Sequence, residues 1–304
     1  MRPINQGGKP DKHVTQYRDY FDDIKTRIGR YCSYCERRMP DGELHIEHVR
    51  PKSMSEEYKL CWHNLLLACF TCNSKKDKCD TNLRNVNDLN IDEYAFPHIY
   101  DTYHLIDYPA PTYMPVCSPI ARPEYKLKVE KLFGLLQMEN NAGRTEEELM
   151  EENGIPSLRI SAGISASELR KDLGDTPSDE AIVCAQKKIA REIERFGFWS
   201  VWMKEFEGIQ TIRDFLLDII PGTEKHYFGT KEEHASCERD HKYNDIIGTL
   251  THRKAYKEKF GQIVGEDTWA AGIVDAISNR LPDMRPDELE KINELITERK
   301  GEGI

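Results

Sequence analysis

Two Cys-x-x-Cys pairs constrain this chain more than any other feature: Cys32-Ser33-Tyr34-Cys35 and Cys69-Phe70-Thr71-Cys72. Two residues between cysteines let one tight turn aim both sulfurs at a single ion. Two such turns complete a tetrahedral four-cysteine zinc site. The 33 residues between the pairs, 36–68, exceed the roughly 15–20 of a plain zinc ribbon, so something is inserted between the knuckles. The chain has nine cysteines, and its opening residues, Met1 to Gly8, hold no apolar stretch. An odd cysteine count without a secretory leader argues against a disulfide framework and for a cytoplasmic protein. Two other readings of the cysteines are unrelated buried thiols and a catalytic redox pair. Neither pair opens a strand–helix–strand unit, which speaks against the redox reading.

The inserted material is rich in groups that do chemistry. It contains Leu44-His45-Ile46-Glu47-His48-Val49-Arg50-Pro51 and, after a loop, Trp62-His63-Asn64-Leu65-Leu66-Leu67-Ala68. The second knuckle runs straight into Asn73-Ser74-Lys75-Lys76-Asp77-Lys78. Glu-His-Val-x-Pro, then Asn-Leu-Leu, then Cys-x-x-Cys-Asn-x-x-Lys, in that order, resembles an HNH endonuclease of the zinc-containing kind over residues 30–80. The resemblance implies an α+β fold: a small zinc-stapled ββα-metal module followed by a mainly α-helical region.

Phosphodiester hydrolysis needs an activated water, charge stabilisation and help for the leaving oxygen. An imidazole neutral near pH 7 suits the base, and the resemblance gives that part to His48. Glu47 and Asn73 match the positions that bind a catalytic divalent ion, Mg2+ or Mn2+, beside the structural Zn2+ on Cys32, Cys35, Cys69 and Cys72. Asp77, one turn beyond Asn73, is a candidate extra ligand. Asn64 is expected to tie down the loop that holds the base. Arg50, Lys52, Lys75, Lys76 and Lys78 form a cationic set expected to meet phosphates. One geometric objection stands: neighbours on a regular strand point to opposite faces, so Glu47 and His48 share a site only if the strand ends or twists there. His45 and His63 read as surface or structural residues, and Cys61 and Cys79 as lone thiols.

Charge divides the chain. Residues 1–85 carry 16 Lys/Arg against 12 Asp/Glu, or +4; the rest carries 27 against 41, or −14. The front tolerates a nucleic-acid phosphate backbone, DNA more readily than RNA as a working expectation. The rear suits a protein partner. No stretch is long and apolar enough for a membrane span. A division follows: 1–105 as the nuclease domain with an N-terminal helix over 11–30 capped by Asp11; 106–123, with five prolines, as linker or extended crossover; 124–304 as a helical acidic domain. Within the last, Thr176 is placed to cap a helix that Gly197 interrupts. Another helix is expected to begin near Pro286.

Across the whole chain, the Met-Arg-Pro-Ile opening, the Tyr-Cys-x-Tyr-Cys-Glu knuckle and the Trp-x-Asn-Leu-Leu run resemble HNH subunits of Septu-type anti-phage systems. That resemblance implies an ABC-type ATPase partner. A non-catalytic zinc module that only recognises nucleic acid or protein is one alternative. A stand-alone restriction or homing nuclease is the other.

Overall fold

The computed structural model describes residues 1–51, 59–79, 93–138, 141, 143–152 and 154–229, with isolated positions 290 and 294; of residues 77–79 it describes the backbone alone. The helix expected near Pro286 lies outside the described residues.

The run Leu65–Cys69 reads as five consecutive apolar residues, and every one is buried. Such a run is a strand covered on both faces rather than an amphipathic one. It pairs antiparallel with Leu44–His48, in the register Leu44 to Cys69 and His48 to Leu65. These strands are β1 (Leu44–His48) and β2 (Leu65–Cys69). The helix α1 (Phe21–Ile28) packs against β2. The helix α2 (Phe70–Cys79) begins at the residue after β2 and packs back on both strands. So the second knuckle bridges the end of β2 and the first turn of α2.

The N-terminal helix is shorter than its apolar spacing predicts. A 3-10 turn occupies Tyr17–Tyr20 and α1 follows. Asp19 supplies the reason: its carboxylate accepts from the backbone N–H of Thr15 at 3.2 Å and of Gln16 at 3.1 Å. Those donors are satisfied at residues 15 and 16, so the chain turns into the helix there rather than at Asp11.

The Pro-rich stretch 106–123 runs as an extended crossover. After α3 (Thr102–Leu105) come β3 (Ile106–Asp107) and β4 (Val116–Cys117), paired antiparallel. Tyr113 and Met114 between them are buried. Then α4 (Pro123–Leu135) sends Val129, Leu132 and Phe133 into the same core as β2, α1 and the knuckles. A cut at residue 100 or 124 would open that core.

The remaining helices are α5 (Glu146–Glu151), α6 (Ile155–Leu173), α7 (Asp179–Phe196), α8 (Trp199–Phe206) and α9 (Gln210–Ile219). The cap of α7 is Ser178, whose hydroxyl accepts from Ala181 N at 3.3 Å. The proline ring of Pro177 disfavours helical backbone at Thr176, and the cap falls two residues beyond it, at Ser178, which is extended. Ile189, Ile193, Trp199, Trp202, Phe206, Ile212 and Leu216 form a second core. The Trp199, Trp202 and Phe206 rings are thus interior rather than a base-stacking surface. Among the described residues no helix is long and apolar enough to cross a membrane.

Gly197 joins the two cores. Its φ is +90°, and a Cβ there would lie 2.0 Å from Glu36 O and 2.7 Å from Arg38 N, just past the first knuckle. Phe198 N donates to Glu36 O at 3.1 Å and Arg38 N to Phe196 O at 2.9 Å. Gly197→Ala is therefore expected to cost about 3 kcal/mol, from steric overlap plus a disfavoured backbone conformation. Chemical denaturation checks it; an unchanged midpoint would show that the knuckle and α7 do not press together.

Candidate functional site

The four knuckle cysteines come together. Their sulfurs all lie within 4.8 Å of one another and all four residues are buried. A tetrahedral zinc with bonds near 2.3 Å sets its sulfurs about 3.8 Å apart. Cys35 Sγ and Cys69 Sγ are 3.8 Å apart. Hydrogen bonding inside the cluster, with Cys32 the leading contributor, pushes the Cys69 thiol down and the Cys35 and Cys72 thiols up. Four thiolates packed this closely repel one another strongly. A divalent cation is what lets four thiolates share so small a volume. The donor set and spacing fit structural zinc. Ser33 N donates to Leu67 O at 2.7 Å, which fastens the first knuckle to β2.

At the far end of the hairpin, Glu47 and His48 close β1. Glu47 is 2% exposed, and its Oε1 accepts from Lys76 Nζ at 2.8 Å and Tyr34 OH at 3.2 Å. The same Lys76 ammonium donates to His48 O at 2.9 Å. Lys76 is itself only 1% exposed. The expectation that it meets phosphate at the surface is therefore corrected. A lysine side chain is long enough to cross from α2 to β1, and a buried carboxylate requires a cation beside it. Asn73 sits three residues earlier on α2 and so on the same face as Lys76. It is half-buried.

The His48 ring packs edge-on against Tyr17, centroids 4.7 Å apart, and its Nε2 lies 3.3 Å from Lys59 O. Glu47 therefore faces α2 and Tyr34, while His48 faces the 3-10 turn before α1. The strand's alternation persists to its last residue. Asn64 clamps the chain immediately afterwards. Its Oδ1 accepts from Arg50 N at 2.6 Å, its Nδ2 donates to Arg50 O at 2.9 Å, and its own carbonyl accepts from Val49 N at 2.9 Å. This doubled side-chain pairing imitates a strand neighbour and fixes the turn that carries His48.

Residues 32–78 match the HNH endonuclease family model. No curated protein and no solved structure matches the chain. The matched HNH segment runs from the first knuckle through β1, β2 and nearly all of α2, so a nuclease of the HNH family is what this part of the chain indicates.

Around the HNH segment the remaining candidates fall in different places. Arg50 is 7% exposed and its backbone is the group Asn64 holds. Lys75 is half-buried. Lys52 lies outside the described residues, as do the side chains of Asp77, Lys78 and Cys79. His45 and His63 are exposed, and Cys61 is a buried thiol.

One residue entered the sequence reading only as the last letter of the Tyr-Cys-x-Tyr-Cys-Glu motif, with no role given to it. Glu36 follows the first knuckle with φ +66° and is 5% exposed. Its carboxylate accepts from Arg2 N, Ser200 N and Ser200 Oγ, and lies 3.5 Å from the terminal ammonium. Burial would raise its pKa, but the ammonium and Ser200 outweigh burial and hold it below the usual carboxylate range. Arg2 extends this network to Pro221 O, Thr223 Oγ1 and Ile28 O.

Proposed function

We propose that the HNH segment is a metal-dependent endonuclease that hydrolyses phosphodiester bonds of nucleic acid. The observation that carries this reading is the ordered set Glu47, His48, Asn64 and Asn73 on one β1–β2–α2 unit, anchored at one end by the four-cysteine cluster. Because Glu47 and His48 leave β1 on opposite faces, the reading requires the His48 ring to turn from Tyr17 toward the Glu47 and Asn73 side before the two can serve one site.

The residues divide the work. Glu47 and Asn73 offer hard oxygen donors of the kind magnesium or manganese prefers. Such an ion would supply charge stabilisation on the phosphoryl group and on the leaving oxygen. His48 takes the proton from the attacking water. Asn64 holds the Arg50 backbone and with it the turn bearing His48. Lys76 neutralises Glu47 and must share that carboxylate with the ion, or yield it.

That competition is measurable. Lys76→Met removes one partner of a buried ion pair, a change that costs about 3–5 kcal/mol. A divalent ion at Glu47 returns part of it, about 2.7 kcal/mol at a hundred times its Kd. The expected result is a zinc-loaded variant whose melting temperature is low in chelator-free buffer without magnesium or manganese and rises when either ion is added. Equal melting with and without the ion would argue against Glu47 as a metal ligand.

The activity itself is tested by incubating the zinc-loaded full chain with end-labelled DNA and RNA, with Mg2+, with Mn2+ and with EDTA. Cleavage that requires the divalent ion supports the reading; intact substrates in all arms favour the recognition module. The stand-alone restriction reading finds no support in the acidic rear, which offers no basic sequence-reading element. An ATPase partner of an anti-phage assembly rests on the resemblance and on the −14 balance of residues 86–304. Because α4 belongs to the front core, the full chain is the bait for that partner.

A further inference from the structure

A cavity of about 390 Å³ borders the cysteine cluster, with Cys35 and Cys72 in its lining. It lies within the range of about 300–1,000 Å³ typical of small-ligand sites. Thr71, Cys72 and Lys75 of α2 line it, whereas Lys76 on the same helix reaches Glu47 on β1. The cavity and the candidate catalytic site are therefore set on different faces of one helix.

Its charge is lopsided. Arg37, Lys75 and Arg159 line it. Among the described residues neither Lys75 nor Arg159 has an ion pair, and Arg37 reaches only Glu43, at 3.7 Å. Arg159 is 5% exposed and held in place: its Nη2 donates to Cys35 O at 3.3 Å, and its guanidinium lies over the Tyr108 and Phe198 rings at 5.7 and 5.4 Å. Among the described lining residues the one carboxylate, Glu152, is engaged by Arg144 at 2.8 and 3.0 Å. The Arg159 guanidinium makes no direct ion pair among the described residues and interacts with Glu36 only at longer range, helping to lower that carboxylate's pKa, so its charge remains available to a ligand in the cavity. The start of α6 also faces the cavity, and its dipole adds to the positive potential.

Pro115, Leu136, Met138 and Ile155 add apolar surface to the lining. Three cations and an apolar surface lining one cavity suit an anion that carries a flat, weakly polar body. We propose that this cavity binds a phosphomonoester of mononucleotide size, with the phosphate on Arg37, Lys75 and Arg159 and the base on the apolar surface. The phosphate has two sources, a free nucleotide or the 5′-phosphorylated end of a strand. The inference does not depend on the nuclease reading, because binding is measured without cleavage.

The test is calorimetric titration of the zinc-loaded full chain in EDTA-free, magnesium-free buffer. The probes are the four nucleoside 5′-monophosphates, the matching nucleosides, inorganic phosphate, and one tetranucleotide with and without a 5′-phosphate. At least one monophosphate is expected to bind about tenfold or more tightly than its nucleoside. Lys75→Gln and Arg37→Gln, each removing a charge-assisted contact, should each weaken it about tenfold or more. Zinc content and melting of both variants are checked in parallel, so that a loss of fold is not read as a loss of contact. Preference for the phosphorylated tetranucleotide over its hydroxyl form, lost in Lys75→Gln, supports the same site with a strand end as its source. No difference between phosphorylated and unphosphorylated probes, or binding that survives both substitutions in folded protein, overturns the proposal.

Discussion

Cys35→Ser and Cys72→Ser are expected to yield chains that do not fold in their front half. Structural zinc supplies about 10–16 kcal/mol of apparent folding free energy in small domains, whereas a whole domain is stable by only about 5–15 kcal/mol. Losing one thiolate therefore removes as much as the domain has. The geometry extends the damage beyond the knuckles. The Cys35 carbonyl holds Arg159, and Ser33 N holds Leu67 at the centre of β2. The core around β2 also contains α1 and α4. Metal analysis together with circular dichroism checks the outcome: zinc falls from one ion per chain toward none and cooperative melting disappears. Normal melting in either variant would mean that the cluster is not the staple.

His48→Gln should abolish cleavage while keeping the fold. General base catalysis contributes about 10²- to 10⁴-fold, so kcat should drop by that factor. Glutamine is the sharper test than alanine because the imidazole is interior. It is 7% exposed and packs edge-on against Tyr17, a contact worth about 0.5–1.5 kcal/mol. His48→Ala would lose that packing as well as the base, so a fall in its melting temperature accompanies its fall in activity. Full activity in folded His48→Gln would remove His48 from the role of base.

Much of the site could be read directly because it is local. Each Cys-x-x-Cys turn is closed over four residues, and β2 announces itself as an unbroken apolar run. Asn64 works on a backbone only fourteen residues away. What could not be read depends on long side chains and distant segments. Nothing in Asn73-Ser74-Lys75-Lys76 says which lysine turns inward. That is decided by which one reaches a carboxylate on another element, and Lys76 does so while Lys75 borders a cavity. Glu36 is explained by Arg2 and Ser200, one near the start of the chain and the other 164 residues on. The glycine at 197 was legible as a helix stop. Its contact with the knuckle was not, because a close backbone approach leaves no mark beyond the missing Cβ.

The most direct measurement is the position of manganese, located by its anomalous scattering in crystals of the zinc-loaded chain grown with Mn2+. The account predicts a second metal peak about 2 Å from oxygens of Glu47 and Asn73, with the Lys76 ammonium shifted and the His48 ring turned toward it. A well-ordered site in which Glu47 stays paired with Lys76, His48 stays against Tyr17 and no manganese lies between them would contradict it.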